Sequence, residues 1–209
     1  SPIQKDAHLW LDVMDFTIGD LPHVHEGMSY QALSLELGGD FLPKAMAKTF
    51  ERMLAKAVFS LLNDNADFNS RPLFNRERRN IISEKITVDA LDRARHLISE
   101  NIKSNPNRLL LVVPKALASQ AIDTKEQSAF YKGSLGILAV DQLTDPDNWF
   151  LMVDPNEYQA FRFNFLRDFD EPQIFIEMDA PALVLKMRQI FGVEILDWRS
   201  MCASFPRNC

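Results

Sequence analysis

The stretch WFLMVDPNEYQAFRFNFL, residues 149–166, places two apolar runs on either side of a DPNE turn. Trp149 to Val153 are five consecutive apolar residues stopped by Asp-Pro and read as one strand. Residues 158–166 alternate instead. Phe161, Phe163 and Phe165 fall on one face and Arg162 and Asn164 on the other, the period of two of a half-buried strand. The segment contains no nucleophile, metal-ligand cluster or phosphate loop. It argues for broad strand surface rather than a reactive pocket.

Strand patterns continue downstream at residues 173–177, 183–191 and 193–198. Upstream, Leu109–Val113 followed by Pro114 reads as another buried strand, residues 115–122 as a short helix, residues 124–136 as a polar excursion and residues 137–140 as a short strand. Residues 88–103 repeat Val88, Leu91, Ile98 and Ile102 on one helical face, with Thr87 as the N-cap and SNPN at 104–107 as the stop. The strongest helical period lies at 43–64, where Met46, Phe50, Met53, Leu54, Ala57, Val58, Leu61 and Leu62 share a stripe behind Pro43. Residues 63–70 read as a loop and 72–82 as short and irregular. Residues 12–25 and 28–37 read as two extended strands joined by a turn near His25-Glu26-Gly27. A two-stranded ribbon is marginal alone in water, so this one is expected to lie on another surface.

The 209 residues suit one large domain or two small ones, and the 46% hydrophobic and 25% charged composition is that of a globular protein. No apolar run reaches the ~20 residues that span a bilayer, and residues 1–11 lack a basic-then-apolar leader pattern. Cys202 and Cys209 are the only cysteines, too few for a disulfide framework, so a reducing compartment is expected.

Recognised chemistry is absent. His23 and His25 sit beside Glu26 without a third converging ligand, so they read as turn histidines and no metal is expected. KGSLG at 132–136 is too short for a phosphate loop. Asp168, Asp170 and Glu171 read as a solvated acidic turn, and Cys202 has no adjacent histidine to activate it. No cofactor and no catalytic residue is expected.

The charge of −6 is unevenly spread. Residues 1–40 hold Lys5 against seven acids, Asp6, Asp12, Asp15, Asp20, Glu26, Glu36 and Asp40; residues 41–110 carry +5 and residues 111–209 carry −5. Lys44, Lys48, Arg52 and Lys56, four apart, form one positive stripe on the long helix. Arg71, Arg76, Arg78 and Arg79 form a second basic cluster, read as pairing with carboxylates of the same or a neighbouring subunit. The acidic ribbon and the basic rod are complementary. We therefore expect Asp15, Asp20, Glu26, Glu36 and Asp40 on one side, and the stripe and the arginine cluster on the other, to make contacts between subunits.

Four segments carry a family resemblance. SRPLFNRERRNI (70–81) is similar to an lF-x-x-x-x-x-N segment after a spine helix. RLLLVVPKALASQA (108–121) resembles LLVPp-x-Le-x-x-A, DNWFLMVDP (147–155) resembles WYLvaDP, and ILDWRSM (195–201) resembles vlDyRg. Their order resembles major capsid proteins of tailed phages with the Hong Kong 97-type fold, in the Mu-like major head protein branch. The resemblance implies an α+β chain: a residual N-terminal arm at 1–11, an extended β-ribbon or E-loop at 12–42, peripheral domain with spine helix at 43–82, axial domain at 83–146 and returning peripheral domain at 147–209. It implies a non-enzymatic subunit that assembles into pentamers and hexamers of an icosahedral shell around DNA. The implied partners are other copies, with scaffold, protease and portal proteins beside them and packaged DNA only indirectly; no membrane is involved. The implied location is the virion, after assembly in the host cytoplasm. Two departures stand out: no lysine lies between Lys5 and Lys44 to serve as a ribbon crosslinking nucleophile, and Ser200 replaces the glycine of the closing motif. An encapsulin-like or gene-transfer-particle shell protein, and an α+β enzyme using Asp/Glu chemistry, are the alternative readings.

Overall fold

A computed structural model describes residues 24–33, 54–165, 173–179 and 182–206, the segments 24–33, 173–179 and 182–189 as strand backbone. The chain divides into two compact units, one of residues 1–58 and 161–194 and one of residues 59–160 and 195–209.

The first unit holds a four-stranded sheet made of β1 (Val24–Leu33), β8 (Phe161–Phe165), β9 (Gln173–Asp179) and β10 (Ala182–Ile195). β10 lies between β1 and β8 and also pairs with β9. Three expectations change here. The turn near His25-Glu26-Gly27 is absent: β1 runs through it, antiparallel to β10 from Val24↔Gly192 to Leu33↔Leu183. A partner strand supplies every backbone hydrogen bond that a turn would forgo, and Gly27 costs a strand only entropy. For the same reason this stretch is supported within its own chain, rather than only by another surface. The strands expected at 183–191 and 193–198 merge into one strand with Gly192 inside it, which ends at Ile195, so residues 196–198 lie beyond it. Finally, Phe161, Phe163 and Phe165 are buried as expected, with Phe191 6.1 Å from both Phe163 and Phe165. Yet Asn164, assigned to an open face, is buried too, and its Nδ2 donates to Glu194 Oε2 at 3.4 Å.

The second unit is built on a five-stranded mixed sheet of β4 (Ile81–Ile82), β11 (Met201–Ser204), β7 (Trp149–Val153), β5 (Leu109–Pro114) and β6 (Leu135–Val140), in that order. β7 is antiparallel to β5 and β11; the outer pairs β5–β6 and β11–β4 are parallel. Every residue of β7 is buried, as its unbroken apolar run requires. Leu109, Leu111 and Val113 of β5 line up with Trp149, Leu151, Val153 and Cys202 in one core. That core is closed by helix α2 (Val88–Ile102) through Ala90, Leu91, Ala94 and Ile98. Thr87 caps α2 as expected: its Oγ1 accepts from Ala90 N at 3.1 Å. The other sheet face is closed by rings. Phe150 lies 5.5 Å from Phe74 and 5.9 Å from Phe205.

Parallel strands need a crossover. Here a single 3-10 turn, Lys115–Leu117, leads into α3 (Ala118–Glu126) and α4 (Ala129–Ser134), which return the chain to β6. The polar stretch 124–136, read as a loop, is thus largely helical. It lacks a hydrophobic stripe because one side chain anchors it. Tyr131 is fully buried and its hydroxyl donates to Asp92 Oδ1 at 2.7 Å. Of the long helix expected at 43–64, residues 54–63 are described and helical (α1), with Leu54, Ala57, Val58, Leu61 and Leu62 buried; its earlier turns lie outside the described residues. A small hairpin, β2 (Asp67–Phe68) with β3 (Arg71–Pro72), follows it.

Cys202 is completely buried, and desolvation pushes its thiol up to about 12. Alkylation needs the thiolate and a path to it. In a Cys209→Ser background, the folded protein should resist iodoacetamide at pH 8 and react once denatured, read by intact mass. Leu151→Ala should cost about 2–5 kcal/mol in denaturant unfolding, because its cavity would open in the middle strand.

Candidate assembly surface

Between the short strands of residues 63–82, side chains satisfy much of the backbone. Asn65 bonds Phe74 twice: its Oδ1 accepts from Phe74 N at 2.6 Å and its Nδ2 donates to Phe74 O at 2.9 Å. Asn80, fully buried, accepts from Asn75 N at 3.0 Å and donates to Leu73 O at 2.9 Å. Asn75 accepts from Arg78 N at 2.9 Å and donates to Pro72 O at 2.7 Å. Asn65 and Asn69 take positive φ, 46° and 53°, which asparagine tolerates better than most residues. Ser70 and Arg79 do so too, at 61° and 53°. Buried amide groups left unpaired are costly, so each asparagine fixes the loop path.

The arginines of this loop divide their work. Among the described residues Arg78 binds backbone carbonyls rather than a carboxylate. It donates to Pro72 O at 2.9 Å, Leu73 O at 3.2 Å and Phe68 O at 2.5 Å, and its guanidinium lies 5.2 Å from the Phe68 ring and 5.6 Å from the Trp198 ring. Burial and the neighbouring Arg71 lower its pKa from the usual arginine value; an arginine so placed remains charged and works as a fixed fork of donors. Arg71 pairs with Glu77, and Arg79 with Glu100 at 3.0 Å, both on the surface. Arg76 is exposed. The loop therefore presents a charged rim in which Arg71 and Arg79 are paired with carboxylates and Arg76 is exposed.

A second polar group holds the ILDWRSM segment. Tyr158 donates its hydroxyl to Asp197, and Arg199 grips the same carboxylate at 2.6, 2.9 and 3.0 Å. Burial alone would raise the Asp197 pKa, but the bonds from Arg199 and Tyr158 outweigh it and hold it below the usual 3.8. The same bond raises Tyr158, behind the larger effect of its burial, and raises Arg199. The DPNE turn ends beside it: Asp154 Oδ1 accepts from Asn156 N at 2.9 Å, and Asp154 O from Glu157 N at 2.8 Å.

Of the other expected contact residues, Lys56 is exposed on α1 and Glu26 sits in β1 opposite Ile190. Asp15, Asp20, Glu36, Asp40, Lys44, Lys48 and Arg52 lie outside the described residues, as do Asp168, Asp170, Glu171, His23 and Cys209. Among the described residues no three His, Cys, Asp or Glu side chains converge on a metal-sized site, and no helix is long and apolar enough to cross a membrane. The sequence reading missed the asparagine lattice and the Tyr158–Asp197–Arg199 group. Five asparagines among arginines in NDNADFNSRPLFNRERRN were a visible signal for the first; nothing local ties Tyr158 to Asp197, 39 positions on.

Among the described residues this surface is charged, and the geometry activates no reactive group on it. Comparison adds the deciding observation: the family described as phage capsid protein matches residues 39–204. The chain belongs to the phage capsid protein family. Solved structures agree in fold. A phage-related protein from Bordetella bronchiseptica RB50 superposes with a TM-score of 0.56 at 12% identity, over 88% of this chain and 75% of that one. The holo-SrpI encapsulin complex from Synechococcus elongatus PCC 7942 gives 0.56 at 10% identity, over 99% and 88%. The satellite phage P4 procapsid with its size determination protein gives 0.52 at 13% identity, over 88% and 75%. At such identities the likeness is one of fold. Comparison with curated proteins gives no match. The mixed α+β fold of this capsid protein is accordingly capsid-like, and its role is structural.

Arg199→Ala should destabilise the capsid protein by on the order of 1 kcal/mol at pH 7, the exposed guanidinium being partly screened. Asp197 has a lowered folded pKa, so its contribution is present above the ordinary value of 3.8 and is lost as pH falls through the folded value. The gap between the wild type and Arg199→Ala should therefore shrink below pH 3.8 in acid unfolding followed by tryptophan fluorescence. A gap independent of pH would refute this. Asn80→Ala should cost about 1–3 kcal/mol in thermal unfolding, because Asn75 N and Leu73 O lose their partner together.

Proposed function

We propose that this chain is a major head protein of a phage or prophage, of Hong Kong 97 type and the Mu-like branch, assembling into pentamers and hexamers of an icosahedral shell that encloses DNA. The family match over residues 39–204 carries the reading. Residues 1–11 are then the residual arm, 12–42 the E-loop, 43–82 the spine side of the peripheral domain, 83–146 the axial domain and 147–209 the returning peripheral strands. The partners are other copies first, with scaffold, protease and portal proteins during assembly in the host cytoplasm, and the virion is the final location.

Contact between copies rests on charge. The acids of residues 1–40 face the stripe Lys44, Lys48, Arg52 and Lys56 of a neighbour. Exposed Lys56 on α1 continues that four-residue spacing and supports the stripe. Arg71, Arg76 and Arg79, fixed by the asparagine lattice, form a second basic contact, and Arg78 holds its shape. β1, already paired with its own β10, carries Glu26, one of the acids proposed for this contact.

One alternative has a specific observation behind it. The encapsulin complex matches over 99% of this chain, so a shell enclosing protein rather than DNA fits the same fold. Particles purified from expressing cells should contain nuclease-protected DNA by the first reading and a co-purifying protein by the second. Electron microscopy showing neither shells nor capsomer rings would overturn both. The double reversal Lys48→Glu/Arg52→Glu should lower the yield of particles at least several-fold at low salt while leaving protomer unfolding within about 0.5 kcal/mol, as for most surface changes.

A further inference from the structure

The cover of the five-stranded sheet stops one strand short. Along one cross-strand row, Ala203, Phe150 and Val112 are 0%, 1% and 1% exposed, but Leu138 of β6, next in that row, is 39% exposed. In the adjacent row Met152 is buried, Leu110 half-buried and Gly136 exposed. β6 is the terminal strand of this sheet, and among the described residues no strand pairs with its outer edge. Its sequence, LGILAV, has six residues without a charge or a proline.

That is an edge without the usual guards. Natural proteins protect such strands with lysine, proline, a bulge or a covering element, since a bare apolar edge templates pairing with another chain. β6 follows its neighbour in unbroken register from Leu109↔Leu135 to Pro114↔Val140, so no bulge intervenes. Its two ends are each charge-balanced: Lys132 pairs with Glu126 at 3.5 Å, and Lys115 with Asp141 at 2.6 Å. An identical copy approaching this edge meets apolar surface between neutral ends and suffers no like-charge repulsion.

We propose that the outer edge of β6, with Leu138 and Gly136, is an assembly contact closed by a second copy of this chain. The proposal rests on the capsid reading, in which copies meet at high local concentration, and it adds which strand they meet on. The unpaired amides of β6 gain partners there, and Leu138 leaves water. Such strand addition takes its affinity from main-chain bonds and its specificity from the alternate side chains.

Two measurements test it. Leu138→Lys places a charge on the edge without touching the core, and Ile122→Lys, at another exposed apolar site on α3, is the control. The expected result is that Leu138→Lys folds with the wild-type circular dichroism spectrum but loses particles by size-exclusion chromatography and microscopy, whereas Ile122→Lys assembles. Hydrogen exchange needs no variant: the outward amides of β6 should exchange at least tenfold more slowly in wild-type particles than in dissociated protomers. Shells from the lysine variant, or unchanged exchange on assembly, would overturn this contact and leave the capsid reading intact. Equal protection in the protomer would show that another part of the same chain covers the edge, which also overturns it. Failure of the wild type to assemble at all would remove the capsid reading and this contact with it.

Discussion

Burial of β7 on both faces is the constraint from which the second unit follows. All five residues from Trp149 to Val153 are inaccessible, so the sheet cannot rest one face on water. One side requires helices, and α2 with the crossover α3–α4 supplies them through Leu91, Ile98, Ala121 and Tyr131. The other side requires bulk from elsewhere in the chain, and Phe74 and Phe205 supply it against Phe150. Phe74 reaches that face only because Asn65 and Asn80 fix the loop that carries it. The asparagine lattice is thus a consequence of core packing as well as a frame for charge. Removal of either asparagine would loosen a ring that covers the sheet.

The sequence was legible where one period dominates. The strands at 109–113 and 149–153 and the helix after Thr87 are where their patterns put them, because burial on two faces or on one helical stripe leaves a signal in consecutive residues. It was misleading where a distant partner decides. The segment through His25-Glu26-Gly27 has turn composition, yet ten consecutive pairings with β10 hold it straight, and no local pattern records a strand some 160 residues away. Gly192 likewise reads as a break and is carried inside β10. At 124–136 the helices are short and polar, and their stability comes from one buried tyrosine bonded to Asp92, which a periodicity count cannot weigh.

The charged surface shows the same division. The arginine cluster was visible, but the different fates of its members were not. Arg78 lies between Phe68 and Trp198 and binds three carbonyls, while Arg71 and Arg79, close to it in sequence, face outward to Glu77 and Glu100. The difference arises from backbone path: positive φ at Ser70 and Arg79 turns the chain twice within ten residues. Tyr158, Asp197 and Arg199 are ordinary residues in sequence, and become a unit only because Leu196 N bonds Ala160 O and brings the two segments together.

A shell subunit has a physical reason to concentrate polar order in such groups. Its charged rim must keep one shape while it awaits neighbours, since each side chain ordered at the moment of contact subtracts about 0.5–1.5 kcal/mol from association. Arg78 and the asparagines fix the loop backbone that carries Arg71, Arg76 and Arg79, so in the proposed charge contact these side chains start from a preset path. The proposed β6 contact follows the opposite strategy, apolar and uncharged, with affinity to be drawn from backbone groups already aligned by β5. Charge gives selectivity and rate at long range, while strand edges give adhesion at short range. If both proposed contacts operate on one framework, finding a neighbour is separated from holding it.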